Sequence, residues 1–217
     1  FANIYTVRQL LQLFRRAYGL FEPVDRVWRD PRGRYLDPFR PRIQAAGFAS
    51  PEEVEADREA HLRAVRAMFE TCDVLIFTLG LTEGWVSTVD GAVFPVPPGV
   101  VTEDVPDTGY AVHNYTVAEM KADLLAFMME KMPKNNPGSL TPEEYADVTA
   151  YILSLNGLPS GDDELPSSQA AATSAPAERT NATASAVVTC STTTRSVSKS
   201  TKSSTSRVAA RSESISS

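Results

Sequence analysis

The feature that most constrains this 217-residue chain is a break in composition near residue 166. Beyond it, 24 of 51 residues are Ser or Thr and none is aromatic. Such a stretch cannot bury enough apolar area to offset its chain entropy, so 167–217 is expected to be a disordered tail. Any core must come from the residues before it. Their charge chemistry changes again on the way. Residues 1–120 hold 12 Arg, no Lys and 17 acids, 121–166 hold 3 Lys, no Arg and 8 acids, and the tail carries 6 basic and 2 acidic residues. The net charge of −6 argues against nucleic acid as a specific partner. The basic tail is expected to make weak contacts with anionic surfaces, and no other partner is assigned.

The longest strongly apolar run, Val74-Leu75-Ile76-Phe77, is too short to span a bilayer. The start, Phe1-Ala2-Asn3-Ile4-Tyr5, lacks the basic head and the apolar stretch of about 7–15 residues that mark a signal peptide. It also lacks a Met, so the chain is read as a fragment. Its compartment is left open, with a lean to the cytoplasm. Cys72 and Cys190 stand in very different contexts, which excludes a disulfide framework or a zinc site.

Helical spacing begins at Thr6, with Val7, Leu10, Leu11, Phe14, Ala17 and Tyr18 on one face and Gly19 as the stop. A proline-rich arm, 22–47, follows, carrying Arg26, Arg29, Arg32, Arg34, Arg40 and Arg42. It is read as a surface loop with ion pairs to its own acids, in preference to an anion site. Ser50-Pro51-Glu52-Glu53 opens a second helix with an N-cap, a proline at the first position and acids against the dipole. Val54, Leu62, Val65, Met68 and Phe69 form its inner face, with His61 beside it.

The continuous apolar run from Cys72 to Leu79 then predicts a buried parallel strand. Ligands of open α/β sheets bind outside the carboxyl ends of the strands. That places Gly80, Thr82 and Glu83 where polar chemistry would sit. Trp85 to Phe94 reads as a hairpin turning at Asp90-Gly91. Thr116-Val117-Ala118-Glu119 is a capping box for another helix, with Val117, Met120, Leu124, Phe127 and Met128 inward.

Several blocks in order resemble the GSCFA family over residues 1–121. They include Asn3-Ile4-Tyr5-Thr6, Asp37-Pro38-Phe39-Arg40-Pro41, His61-Leu62, Phe77 through Trp85, Asp90 through Pro95, and His113-Asn114-Tyr115. The family is similar to SGNH-type hydrolases, which implies an α/β fold and acyl transfer by a Ser nucleophile, a His base and oxyanion donors. By that resemblance Gly80, Thr82 and Glu83 fall in the block on the oxyanion side, and Asn3 in the block before it. Ala2 stands where that earlier block usually has Gly. The resemblance places the nucleophile upstream of Phe1 and the base in a later segment, so the chain is expected to be inactive. Neither His61 nor His113 falls at the base position.

From about Leu125 a second resemblance begins, to the C-terminal end of class I c-type cytochromes. It is carried by Phe127, Met132-Pro133, Pro137-Gly138-Ser139-Leu140, Tyr145-Ala146-Asp147-Val148 and Ala150 through Leu153. It implies Met132 as an axial haem ligand. The chain has no Cys-x-x-Cys-His for covalent haem attachment, so no cofactor is expected, haem included. Thr141-Pro142-Glu143-Glu144 starts a helix with Tyr145, Val148, Ile152 and Leu155 on one face and Asn156-Gly157 as its stop. The fold class expected is therefore α/β. An incomplete αβα, SGNH hydrolase-like layer with few strands (1–121) would be followed by a small helical, cytochrome c-like appendix (122–166) and the tail. The two pieces would meet within 122–131.

Overall fold

The computed structural model describes residues 4–78, 80–102, 109–155 and 185–189. The first helix, α1, is Val7–Ala17. Thr6 caps it reciprocally with Gln9: the Gln9 N–H donates to the Thr6 hydroxyl, and the Thr6 N–H donates to the Gln9 carboxamide, both at 3.2 Å. Gly19, at φ +71°, takes the left-handed turn that ends it. In the arm, β1 (Trp28–Arg29) and β2 (Tyr35–Leu36) pair antiparallel. Helix α2 is Pro51–Thr71, with the Ser50 hydroxyl accepting from the Glu53 N–H. Then come β3 (Val74–Thr78), β4 (Glu83–Ser87), β5 (Val93–Phe94), the short α3 (Pro98–Val101) and β6 (Tyr110–Asn114). Helices α4 (Val117–Lys131) and α5 (Pro142–Leu155) follow, and β7 is Ser185–Thr189.

The expected hairpin is β4–β5, with Trp85 opposite Phe94 and Val86 opposite Val93. Its turn is closed by the Ser87 N–H on the Ala92 carbonyl at 2.8 Å, and Gly91 sits at φ +73°. Strand β6 joins the other edge of β4, giving the order β5-β4-β6. The sequence had not signalled β6. Helix α4 opens with the expected Thr116/Glu119 box.

Three apolar clusters hold the molecule. In the first, Leu10, Leu11, Leu13 and Phe14 of α1 meet Val65 and Phe69 of α2 and Ala126 and Phe127 of α4. Phe14 sits edge-on to both Phe69 and Phe127, with centroids 5.4 and 5.8 Å away, the arrangement that ring quadrupoles favour. In the second, Val7, Leu124, Leu125 and Met128 meet Tyr145 and Leu153 of α5. The third gathers Trp28, Leu36 and Phe39 of the arm with Ala92 and Phe94 of the hairpin. Leu124, Leu125, Phe127 and Met128 are all buried, each contributing about 1.5–3 kcal/mol. Helix α4 therefore belongs to two clusters at once.

Several expectations change. Strand β3 is neither parallel nor buried on both faces. It pairs antiparallel with β7, Val74 opposite Thr189 through Thr78 opposite Ser185. Leu75 and Phe77 pack inward, while Val74 and Ile76 are 52% and 67% exposed. The reason is one-sided cover: helices lie against one face of the strand only. Helices and small sheets do coexist as an α/β mixture, but every ladder among the described residues is antiparallel. The inner face of α5 is rotated from the expected one. Tyr145, Ala146, Thr149 and Leu153 are buried, whereas Val148 and Leu155 are exposed. Docking through Tyr145 sets that rotation, since its hydroxyl donates to the Met132 carbonyl and the Thr149 hydroxyl returns to the Tyr145 carbonyl. The arm is more than a surface loop, because it supplies three of the five buried residues of the third cluster and buries Asp37 and Arg40. Of the Ser/Thr-rich stretch, β7 is the described part, and the expected Asn156-Gly157 stop lies outside the described residues.

Candidate functional site

The corner after β3 is built on the backbone. The N–H groups of Gly80 and Leu81 both donate to the Tyr5 carbonyl at 3.2 Å. Gly80 is exposed, and a Cβ there would stand 3.9 Å from the Tyr5 ring and 4.0 Å from its carbonyl. The Thr82 carbonyl accepts from the Tyr115 N–H at 2.6 Å. Glu83 opens β4 opposite Asn114, and Gly84 lies opposite His113. Gly84 is the tight point: a Cβ there would stand 2.8 Å from Val93 Cγ1 and 3.3 Å from the Tyr115 ring. Gly80, Thr82 and Glu83 are therefore brought to one corner, with Thr82 half-buried and Glu83 exposed. Asn3 lies outside the described residues, two positions before the Tyr5 that this corner holds.

Across the same ladder, His113 Nε2 lies 2.8 Å from Glu119 Oε1, with the Tyr115 ring edge-on to the imidazole at 4.5 Å. Burial pushes the Glu119 carboxyl up. The Thr116 amide and hydroxyl, together with His113, outweigh it and hold the carboxyl below its ordinary range. A carboxylate so placed orients the imidazole. The sequence reading passed over this pair, although the capping box already located Glu119.

A second polar group lies between α1, the arm and α2. A solvent-open recess of about 370 Å³ is lined by Ile4, Arg16, Phe39, Arg40, His61 and Val93, among others. Arg40 is 5% exposed and reaches Asp37 at 2.8 Å and Asp57 at 2.6 Å. Asp37 is 1% exposed, and Arg58 approaches it at 3.4 Å. The Arg16 guanidinium stacks on the Phe39 ring at 3.7 Å, and its Nε is buried with no hydrogen-bond partner. Burial lowers the Arg16 pKa to about 10, with Asp37 opposing and Arg58 and Arg40 adding to the fall. His61 is lowered to about 4, first by burial and then by Arg40 and Arg16. Arg40 was among the arginines singled out in the arm. Arg16 was missed, because on a helix an arginine beside an apolar stripe reads as a solvated flank.

Met132 is the C-cap of α4 and packs against the second cluster. Its surroundings are those of a core side chain. Among the described residues no group of three or more His, Cys, Asp and Glu side chains could hold a metal ion, and no helix is long and apolar enough to cross a membrane.

A model of the GSCFA family matches residues 1–139. The match takes in the Gly80–Glu83 corner and the arginine recess, and it runs through the whole of α4 and past Met132. No curated protein and no solved structure matches the chain.

Proposed function

The chain belongs to the GSCFA family, and on that footing we propose that it is an SGNH-type, hydrolase-like protein of the ester or acyl class. In this reading the Gly80–Glu83 corner stands on the oxyanion side of an acyl-transfer site. One observation carries it: the Gly80 and Leu81 amides converge on the Tyr5 carbonyl. That clamp ties the segment following Asn3 to the residues bearing the Thr82 hydroxyl and the Glu83 carboxylate. It also occupies the two amides that would otherwise be oxyanion donors. Stabilising a tetrahedral oxyanion needs donors aimed at the developing charge, and here the Thr82 hydroxyl and the Asn3 carboxamide are the side chains proposed for it. Acyl transfer also needs a nucleophile and a base in register with those donors. With both corner amides committed to Tyr5, this chain is proposed to be non-catalytic by itself.

The test is hydrolysis of p-nitrophenyl acetate by the full chain, alongside Thr82→Ala and Glu83→Gln. The expected rate is the buffer rate for all three. Clear turnover by the unsubstituted chain that is lost in Thr82→Ala would overturn the non-catalytic reading while keeping the corner as the site. Turnover indifferent to both substitutions would remove the corner from the site.

A further inference from the structure

Among the described residues, the recess between α1, the arm and α2 carries a charge imbalance. Two guanidinium groups, Arg16 and Arg40, face it, and no acidic side chain lines it. The nearest buried acid is already engaged: Asp37 accepts from Arg40 Nε at 2.9 Å and from the Phe39 N–H at 3.1 Å, and Arg58 takes its remaining side. Asp57 is held by Arg40, and Glu55 by Arg26 and Arg58. Arg16 is left, among the described residues, with an aromatic ring beneath it and no ion-pair partner. Stacking on Phe39 offsets part of its desolvation. A guanidinium whose Nε is buried without a partner loses more than that. A buried donor without a partner calls for an explanation, and a bound water or ion is the ordinary one.

The recess is open to solvent, with room for about one water-sized group, roughly 20 Å³. One oxygen of a small oxyanion fits it, with the remainder of the ligand outside in solvent. Guanidinium groups pair with carboxylate and phosphate oxygens through parallel N–H donors. We propose that this recess is a receptor for a carboxylate or phosphate group, with Arg16 as its principal counter-ion and Arg40 as the second wall of the site. The proposal stands apart from the acyl-site reading. It requires no turnover, although Ile4 of its wall adjoins the Tyr5 that clamps the Gly80 corner.

The test follows thermal unfolding of the full chain in sodium phosphate and in sodium acetate, each against sodium chloride at matched ionic strength. It compares the unsubstituted protein with Arg16→Met, which keeps a long apolar stem on Phe39, and with Arg63→Met on the exposed surface of α2 (Arg63 is 71% exposed). Phosphate or acetate should stabilise the unsubstituted protein and Arg63→Met alike. Arg16→Met should bind roughly 10–100-fold more weakly, the loss expected for one charge-assisted pair. The stronger of the two salts tells which head group the recess takes. An equal response of Arg16→Met and the unsubstituted protein is a bulk salt effect and overturns the proposal. Should Arg16→Met not fold, the Arg16 Nε–H resonance of the unsubstituted protein gives the answer by NMR. It should shift saturably with phosphate or acetate, and a resonance indifferent to both overturns the proposal equally.

Discussion

His61 should make the fold sensitive to mild acid. It sits half-buried on α2 at the recess, facing Arg40 and Arg16, with Asp37 as the opposing acid, and its pKa falls from 6.5 to about 4. In the unfolded chain the imidazole titrates near its ordinary value of about 6.5. Between those two values the unfolded state takes up the proton first, so stability falls as pH falls. The His61 contribution is thus complete above about pH 6.5 and lost by about pH 4. At about 1.4 kcal/mol per pH unit the full difference would be about 3 kcal/mol. Solvent screening at a half-buried site reduces that to about 1–2 kcal/mol. The assay is urea unfolding at neutral pH and at mildly acid pH for the unsubstituted chain and His61→Gln, whose side chain stays neutral throughout. Glu55, Asp90 and Glu119, held below their ordinary range, also lose stability toward acid. They do so in both proteins and cancel in the difference. The unsubstituted chain should lose about 1–2 kcal/mol more than His61→Gln. Equal losses, or an imidazole titrating near 6.5 by NMR, would refute the reasoning.

Gly84→Ala should destabilise by about 1–3 kcal/mol, because the new Cβ meets Val93 Cγ1 at 2.8 Å and the Tyr115 ring at 3.3 Å. Gly99→Ala, with nothing within 4 Å, should be neutral or stabilising by about 0.4–1 kcal/mol, and urea midpoints of the two variants check the contrast. Tyr145→Phe removes the hydroxyl that donates to the Met132 carbonyl. It should cost about 1 kcal/mol in thermal unfolding, with α4 and α5 still melting in one transition.

What could be read from the sequence was what is local. Thr6 with Gln9, Ser50, and Thr116 with Glu119 mark helix starts through bonds spanning three residues. The Asp90-Gly91 turn closes its hairpin through contacts four or five residues apart. What could not be read depends on neighbours distant in the chain. The run Val74-Leu75-Ile76-Phe77 looks the same whether both faces are covered or one. Exposure of Val74 and Ile76 decides it, and that follows from where α1 and α4 lie. Tyr110–Asn114 carries a weak strand pattern, and its pairing partner β4 supplies the rest. The corner at Gly80, Thr82 and Glu83 was located by position after a strand. That its amides would be used by Tyr5, some 75 residues earlier, was not. Arg16 is the sharpest case. Its helix is legible, but its partly buried place depends on Phe39, which comes from the arm to stack on it.

The same distinction bears on residues 122–131, where the sequence alone suggested a junction between two pieces. A helix reads as apolar on most of its circumference when more than one partner covers it. Helix α4 is such a helix. Ala126 and Phe127 face α1 and α2, while Leu124, Leu125 and Met128 face α5 and Val7. Asp123 is the charged residue buried within it. It is 2% exposed and bound by Arg8 at 2.7 Å, and burial raises its carboxyl despite that partner. Arg15 and Glu130 make a second tie between α1 and α4, with Nε to Oε1 at 2.9 Å. A run such as Leu124 to Met129 fits many helical patterns, because it lacks the polar positions that would discriminate among them. The apolar run 124–129 therefore has a physical source in its packing. The family match through residue 139 and the ion pairs from α1 across to α4 agree with a helix that belongs to the segment before it. Helix α5 then docks on a surface that α4 already presents, which ties 142–155 to the first 131 residues through buried side chains.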